Sequence, residues 1–197
     1  MARIPFPSPD TMTPEQRRVY DAVVAGPRGV VVGPLRAALH SPELAERWQR
    51  LGEYLRFNMS VPARLRELAI IVTARRWNSQ LEWLIHAEAA RNAGLAESVI
   101  AAIHRGEAPA FEDPDEADVY EYAREIQQRG QVSEPLYRRV AERWQPLGVV
   151  ELTALIGYYT MVSMTLNAHQ IPLPEGREPP LESLGEGLSK LAPGRSK

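Results

Sequence analysis

The sequence predicts an all-α protein. Apolar residues recur at three- and four-residue spacing through most of the chain, capping signals precede several of these segments, and no convincing alternating run marks a strand. Residues 1–12 are Pro-rich and read as an extended arm. Thr13-Pro14-Glu15-Gln16 has the form of a capping box with Pro at the first helical position, opening a helix to about Gly26. Residues 26–34, GPRGVVVGP, form an irregular loop of the kind that docks or functions. Ser41-Pro42-Glu43 opens the next helix, through about Phe57. Pro62 starts another, and there Leu65, Leu68, Ala69, Ile71 and Val72 cover most of the circumference, which marks a central helix.

The stretch SQLEWLIHAEAARNAG (79–94) is the following helix, stopped by Gly94 as a C′ glycine. Residues 96–105 make a short helix ended by Gly106. Asp113-Pro114-Asp115-Glu116 is a second capping box, for a helix reaching Gly130. Ser133 caps a helix to about Trp144, and the last long helix runs from about Val149 to Asn167. About seven helices make one domain, residues 1–170 with its core at 60–106, and a Pro/Gly-rich extended tail occupies 171–197. An internal echo lays 66–87 beside 150–170, with Glu67 on Glu151, Ser79 on Ser163 and His86 within one position of His169. That pattern predicts two similar hairpins about a pseudo-two-fold.

Composition narrows the function classes. The net charge of −2 implies no basic face, so nucleic acid is not the expected partner. No apolar run approaches the roughly 20 residues of a membrane span, and the N-terminus lacks an apolar signal segment, so the expected location is cytoplasmic. The chain has no cysteine, which excludes disulfides, thiol catalysis and thiolate-bound metals.

Glu82 and His86 sit four apart and project from one side of their helix, in a stripe with Ser79, Ala90 and Ala93; Leu81, Leu84, Ile85 and the alanines are the packing residues. The spacing allows an exposed ion pair, or an acid/base pair facing a pocket in which Glu82 orients or tunes His86. As a metal site, E-x-x-x-H supplies only two ligands, so no metal is expected. Glu67, inside the most apolar helix, must be paired or functional, with Arg64 and Arg66 as the nearby cations. Tyr158 and Tyr159 could line a pocket, but read first as core and interface.

The segment RLRELAIIVTARRWNSQLEWLIHAEAARNAG resembles the carboxymuconolactone decarboxylase and alkylhydroperoxidase D superfamily, best over about 60–106, and the flanking LHSPELAERWQRLGEYLRFN and GYY…LN…PLPEG resemble its longer, decarboxylase-like members. The resemblance implies an all-helical fold and homo-oligomers, trimers or hexamers. In the redox branch a Glu, C-x-x-C and a following His form the site; here these fall on Glu67, Ser79, Glu82 and His86, so both sulfurs are missing and a thiol peroxidase cycle has no thiolate.

The decarboxylase branch, similar around E-W-x-x-H, implies loss of CO2 from a small unsaturated lactone without metal or cofactor. In that reading His86, oriented by Glu82, either donates to the developing oxyanion or protonates the ring carbon, and Glu67 is a second proton carrier. Ser79, Trp77 and Trp83 line a dry pocket, and Arg64 or Arg75, with Arg56 and Arg76 as further candidates, clamps an anionic substrate. An isomerase or eliminase on another small acid, and a non-catalytic oligomeric binding relative, are the alternatives.

Overall fold

The computed structural model describes residues 2–183 and 187–196. They form eight helices and one two-residue strand pair. The chain divides into two compact units: residues 1–59 with 164–172, and residues 60–163 with 173–197.

The first unit holds α1 (Pro14–Ala25), α2 (Pro34–Ala38) and α3 (Pro42–Phe57). The Thr13 box forms as its sequence demands: the Thr13 side chain accepts from Gln16 N–H and the Gln16 side chain accepts from Thr13 N–H. Val19 and Val23 of α1, and Ala45, Trp48 and Leu55 of α3, are buried, and Arg18 bridges to Glu46. The expected 26–34 loop ends earlier than its composition suggests, because Gly33 at positive φ delivers Pro34 into the first turn of the unanticipated α2. The N-terminal arm is tied down: the Pro5 carbonyl meets His40 Nε2 at 2.7 Å, and the Arg36 guanidinium lies 3.8 Å over the Phe6 ring.

The second unit is built on α4 (Ala63–Arg76) and α5 (Gln80–Asn92), followed by α6 (Glu97–Arg105), β1 (Ala110–Phe111), α7 (Pro114–Arg129), most of α8 (Glu134–His169) and β2 (Arg195–Ser196), which pairs in parallel with β1. All ten residues from Leu65 to Arg75 except Arg66 are buried, as expected for a helix apolar almost all round. The α4–α5 reversal turns on Asn78, which takes φ 49. Asn tolerates that left-handed backbone, and the Ser79 N–H to Ala74 carbonyl and Asn78 N–H to Arg75 carbonyl bonds close a Schellman motif. Gly94 ends α5 the same way.

Strand-free hydrogen bonds fix the helix directions. Arg64 near the start of α4 pairs with Asp113 and Glu116 at the start of α7, and Trp77 after α4 donates to Gln127 near the end of α7. Tyr122 meets Thr153 and Gln127 meets Thr160, so this part of α8 also runs with α7. α5 therefore runs antiparallel to α4, α7 and residues 153–160 of α8.

Several expectations need correction. The second capping box is only half made: Asp113 accepts from Asp115 N–H, while the Glu116 carboxylate is drawn to Arg64, a full charge being the stronger partner. The helices expected at 133–144 and 149–167 are both present; α8 is two helices in succession, broken at the non-helical Gln145 (φ 56, ψ 176) ahead of Pro146. The second hairpin of the internal echo does not exist, since α8 runs without reversal through 150–169 where the first copy turns at Asn78.

α8 also contains an 18-residue window of mean hydropathy 1.4, long and apolar enough to cross a membrane by length and composition, so the absence of such a run is not sustained. Its Leu152, Leu155, Ile156, Tyr158, Tyr159 and Val162 are buried, the pattern of a core helix, and the buried Glu151 accepts from Ser60 N–H and Oγ.

The tail is extended, as composition predicts, but it is strapped down. Gln80 makes reciprocal bonds with the Leu181 backbone and Gln128 with that of Leu191. Arg76 donates to the Ser189 carbonyl, and Tyr120 to that of Ala192. Leu181 and Leu191 are buried.

Candidate acid–base site

Glu67 lies eleven residues before Asn78 and His86 eight after it, so across the hairpin they stand within about one helical turn of the same height. His86 Nδ1–H donates to Glu67 Oε2 at 2.6 Å, and Nε2 faces Glu82 Oε2 at 3.4 Å. All three are buried: His86 is 3% exposed, Glu82 5% and Glu67 9%. The stripe read from the sequence is therefore the inward face of α5, and Ile85, expected to pack, is exposed. The exposed ion pair is overturned. His86's closest partner is also not its helical neighbour Glu82 but Glu67, from the other arm of the hairpin.

Burial alone drives His86 towards the neutral form. The hydrogen bonds and charges of Glu67 and then Glu82 outweigh it and raise the imidazolium to about 9. The ring is thus a buried cation at neutral pH, with carboxylates on both nitrogens. Tyr159 of α8 packs edge-on against it, centroids 4.9 Å apart, and continues into Tyr158 at 5.3 Å. The sequence reading of Tyr159 as core is met, since it is buried, but its partner His86 was not named, because no local spacing links residues 86 and 159.

The other predicted residues divide. Ser79 is the N-cap residue of α5, fully buried, with its Oγ unpartnered. Trp83 is buried but packs against His104, at 5.4 Å, and Trp77 donates its indole N–H to Gln127, so the ring seen against His86 is Tyr159 instead. Arg64 is held by Asp113 and Glu116 at a separate cavity of about 270 Å³ that Gly94, Ser98 and Val99 help to line. Two carboxylates already neutralise it, which removes it as an anion clamp for His86. Arg75 donates Nε–H to the His104 carbonyl and Nη1–H to Asn78 Oδ1, which serves the hairpin turn, and burial lowers its pKa. Among the described residues no cluster of three or more His, Asp or Glu has the arrangement of a metal site.

A buried imidazolium held between two carboxylates on a helical hairpin is a candidate acid–base centre, set in an all-α scaffold. Two solved structures share that scaffold. One is an alkylhydroperoxidase AhpD core, an uncharacterized peroxidase-related protein from Ralstonia eutropha JMP134, with TM-score 0.70 and 13% identity over 88% of this chain and 93% of that one. The other is an uncharacterized peroxidase-related protein from Silicibacter sp. TM1040, with TM-score 0.68 and 14% identity over 87% and 91%. Residues 42–125 match the carboxymuconolactone decarboxylase family. No curated protein matches the sequence. Over residues 42–125 the chain is thus similar to the carboxymuconolactone decarboxylase family, and its fold is that of the alkylhydroperoxidase AhpD core.

Proposed function

We propose that the protein is a cofactor-independent lyase of the carboxymuconolactone decarboxylase kind, acting on a small unsaturated lactone or related carboxylic acid. The observation that carries this reading is the buried Glu67–His86–Glu82 cluster, with its imidazole charged. When the substrate's carboxylate leaves as CO2, its bonding pair moves through the conjugated ring onto the lactone carbonyl oxygen. The ring carbon must then gain a proton. Glu67 anchors Nδ1 tightly. Nε2, more loosely held by Glu82, is the edge from which a proton leaves for the substrate and to which solvent returns one. The peroxidase label of the two neighbours does not transfer, because this chain has no cysteine to form a thiolate.

The test is CO2 release and enol-lactone formation from 4-carboxymuconolactone. Turnover by the wild type that His86→Ala abolishes, in a protein that stays helical, supports the reading; turnover unchanged in that variant overturns the role of His86. One observation favours a second reading, a non-catalytic relative: both ring nitrogens of His86 are already engaged. No turnover with this or other small acids, combined with a large loss of stability in His86→Ala, selects it.

The chain also acts as a homo-oligomer in this proposal, with Leu44, Leu51, Tyr54 and Phe57 of α3 as the exposed apolar face that a second copy covers. Light scattering at the 22.1 kDa chain mass overturns that part.

A further inference from the structure

Two buried hydroxyls in the second unit decline the bonds that their neighbours make. In α4 and α8, Thr73 and Thr153 satisfy their hydroxyls locally, on the carbonyls of Ala69 and Val149. Ser163, farther along α8, does not. At α1 the N-cap Thr13 accepts from Gln16 N–H, but the N-cap Ser79 of α5 makes no such bond. Ser79 and Ser163 are each 0% exposed and leave Oγ without a partner, and they are the two hydroxyls in that state among the described residues. Native interiors rarely leave such groups unmatched, and each calls for a polar partner or a functional reason.

Helix geometry puts both at one end of the acid–base cluster. Ser79, Glu82 and His86 share a face of α5, and Tyr159 and Ser163 are one turn apart on a face of α8. Tyr159 meets His86, and α8 runs antiparallel to α5, so the step from Tyr159 to Ser163 leads toward the α5 N-terminus, where Ser79 sits. That N-terminus adds its own positive field and free backbone N–H groups.

We infer that the hydroxyls of Ser79 and Ser163 receive the carbonyl oxygen of the substrate at the N-terminus of α5, one turn from the proton-carrying Glu82–His86 pair. This rests on the lyase reading above and names the groups that hold the developing oxyanion. As the carbon–carbon bond to the leaving carboxylate breaks, its electron pair reaches this oxygen and both hydroxyls donate to it. The pair then returns to the ring carbon, which takes a proton from His86 by way of Glu82.

The experiment compares full-length wild type, Ser79→Ala and Ser163→Ala in two assays. With 4-carboxymuconolactone, each variant loses about 10²-fold in kcat with little change in KM, the signature of a donor used in the transition state. With 2(5H)-furanone, a lactone carbonyl that has no carboxylate to lose, the wild type gains melting temperature and Ser163→Ala does not. No thiol is present to add to that probe. Unchanged kcat in Ser163→Ala overturns the inference. A wild type without turnover sinks the lyase reading alone; the furanone shift then decides, its loss in Ser163→Ala upholding the hydroxyl site and its persistence or absence throughout refuting it. A fall in melting temperature of ligand-free Ser163→Ala reveals a structural partner for the hydroxyl and also overturns the inference.

Discussion

Raising the pH should strip stability from this protein through one residue. An ordinary histidine titrates near 6.5; in the folded chain His86 is raised to about 9, against its own burial, by Glu67 and Glu82. Between those values the folded chain keeps a proton that the unfolded chain has released, so stability falls by about 1.4 kcal/mol per pH unit. The contribution is complete below pH 6.5, is lost as the pH rises through about 9, and amounts to about 3 kcal/mol, a large share of an ordinary domain's total.

The assay is urea denaturation at pH 6, 7.5 and 9.5, set against His86→Gln as the background without this titration, with the His86 ring followed by NMR. Glu67, at 2.6 Å, holds the ring more closely than Glu82, at 3.4 Å. Glu67→Gln therefore lowers the His86 midpoint by more than Glu82→Gln does, and the pH-dependent loss of stability moves down with it. A wild-type midpoint near 6.5, or a larger effect from Glu82→Gln, refutes the reasoning.

Three further outcomes follow from the same structure. Gln145 occupies φ 56, ψ 176, a region that only glycine adopts freely, so Gln145→Gly raises thermal stability by about 1 kcal/mol at unchanged helix content by circular dichroism. Arg64→Ala strands Glu116 and Asp113 and costs about 2 kcal/mol in chemical denaturation, and under the proposed lyase function it leaves turnover intact; lost turnover in a fully stable variant would restore Arg64 as a substrate clamp. Gln80→Ala removes both bonds to the Leu181 backbone, lowers stability by about 1–2 kcal/mol, and speeds proteolysis of the tail ahead of the helices.

What the sequence disclosed follows the range of the forces involved. Caps and C′ residues act within one turn, so the Thr13 box, Gly94, Gly106 and Gly130 could be read directly. A helix apolar on every side announced the central position of α4, and a carboxylate in that setting pointed to Glu67. Local spacing also linked Glu82 to His86 but misjudged which partner dominates, because the Glu67 contact depends on a tertiary reversal at Asn78. Tyr159, the pairing of Arg64 with α7 and the seating of Leu181 and Leu191 likewise depend on residues 49 or more positions away. The break within α8 was also legible, because Pro146 ends the helix before it; what local signals did not show is that the next helix resumes at once, after the single non-helical residue Gln145.

The strap and the hairpin differ in how much chain each must close. The Glu67–His86 contact spans 19 positions, whereas Gln80 reaches Leu181 over 101 and Arg76 reaches Ser189 over 113. Loop-closure entropy makes the longer contacts about 1.5 kcal/mol more costly to establish in an otherwise open chain. On closure entropy alone the clamp around His86 is the cheaper contact to make, so the strap is the part of this unit whose seating leans most on the rest of the fold being in place.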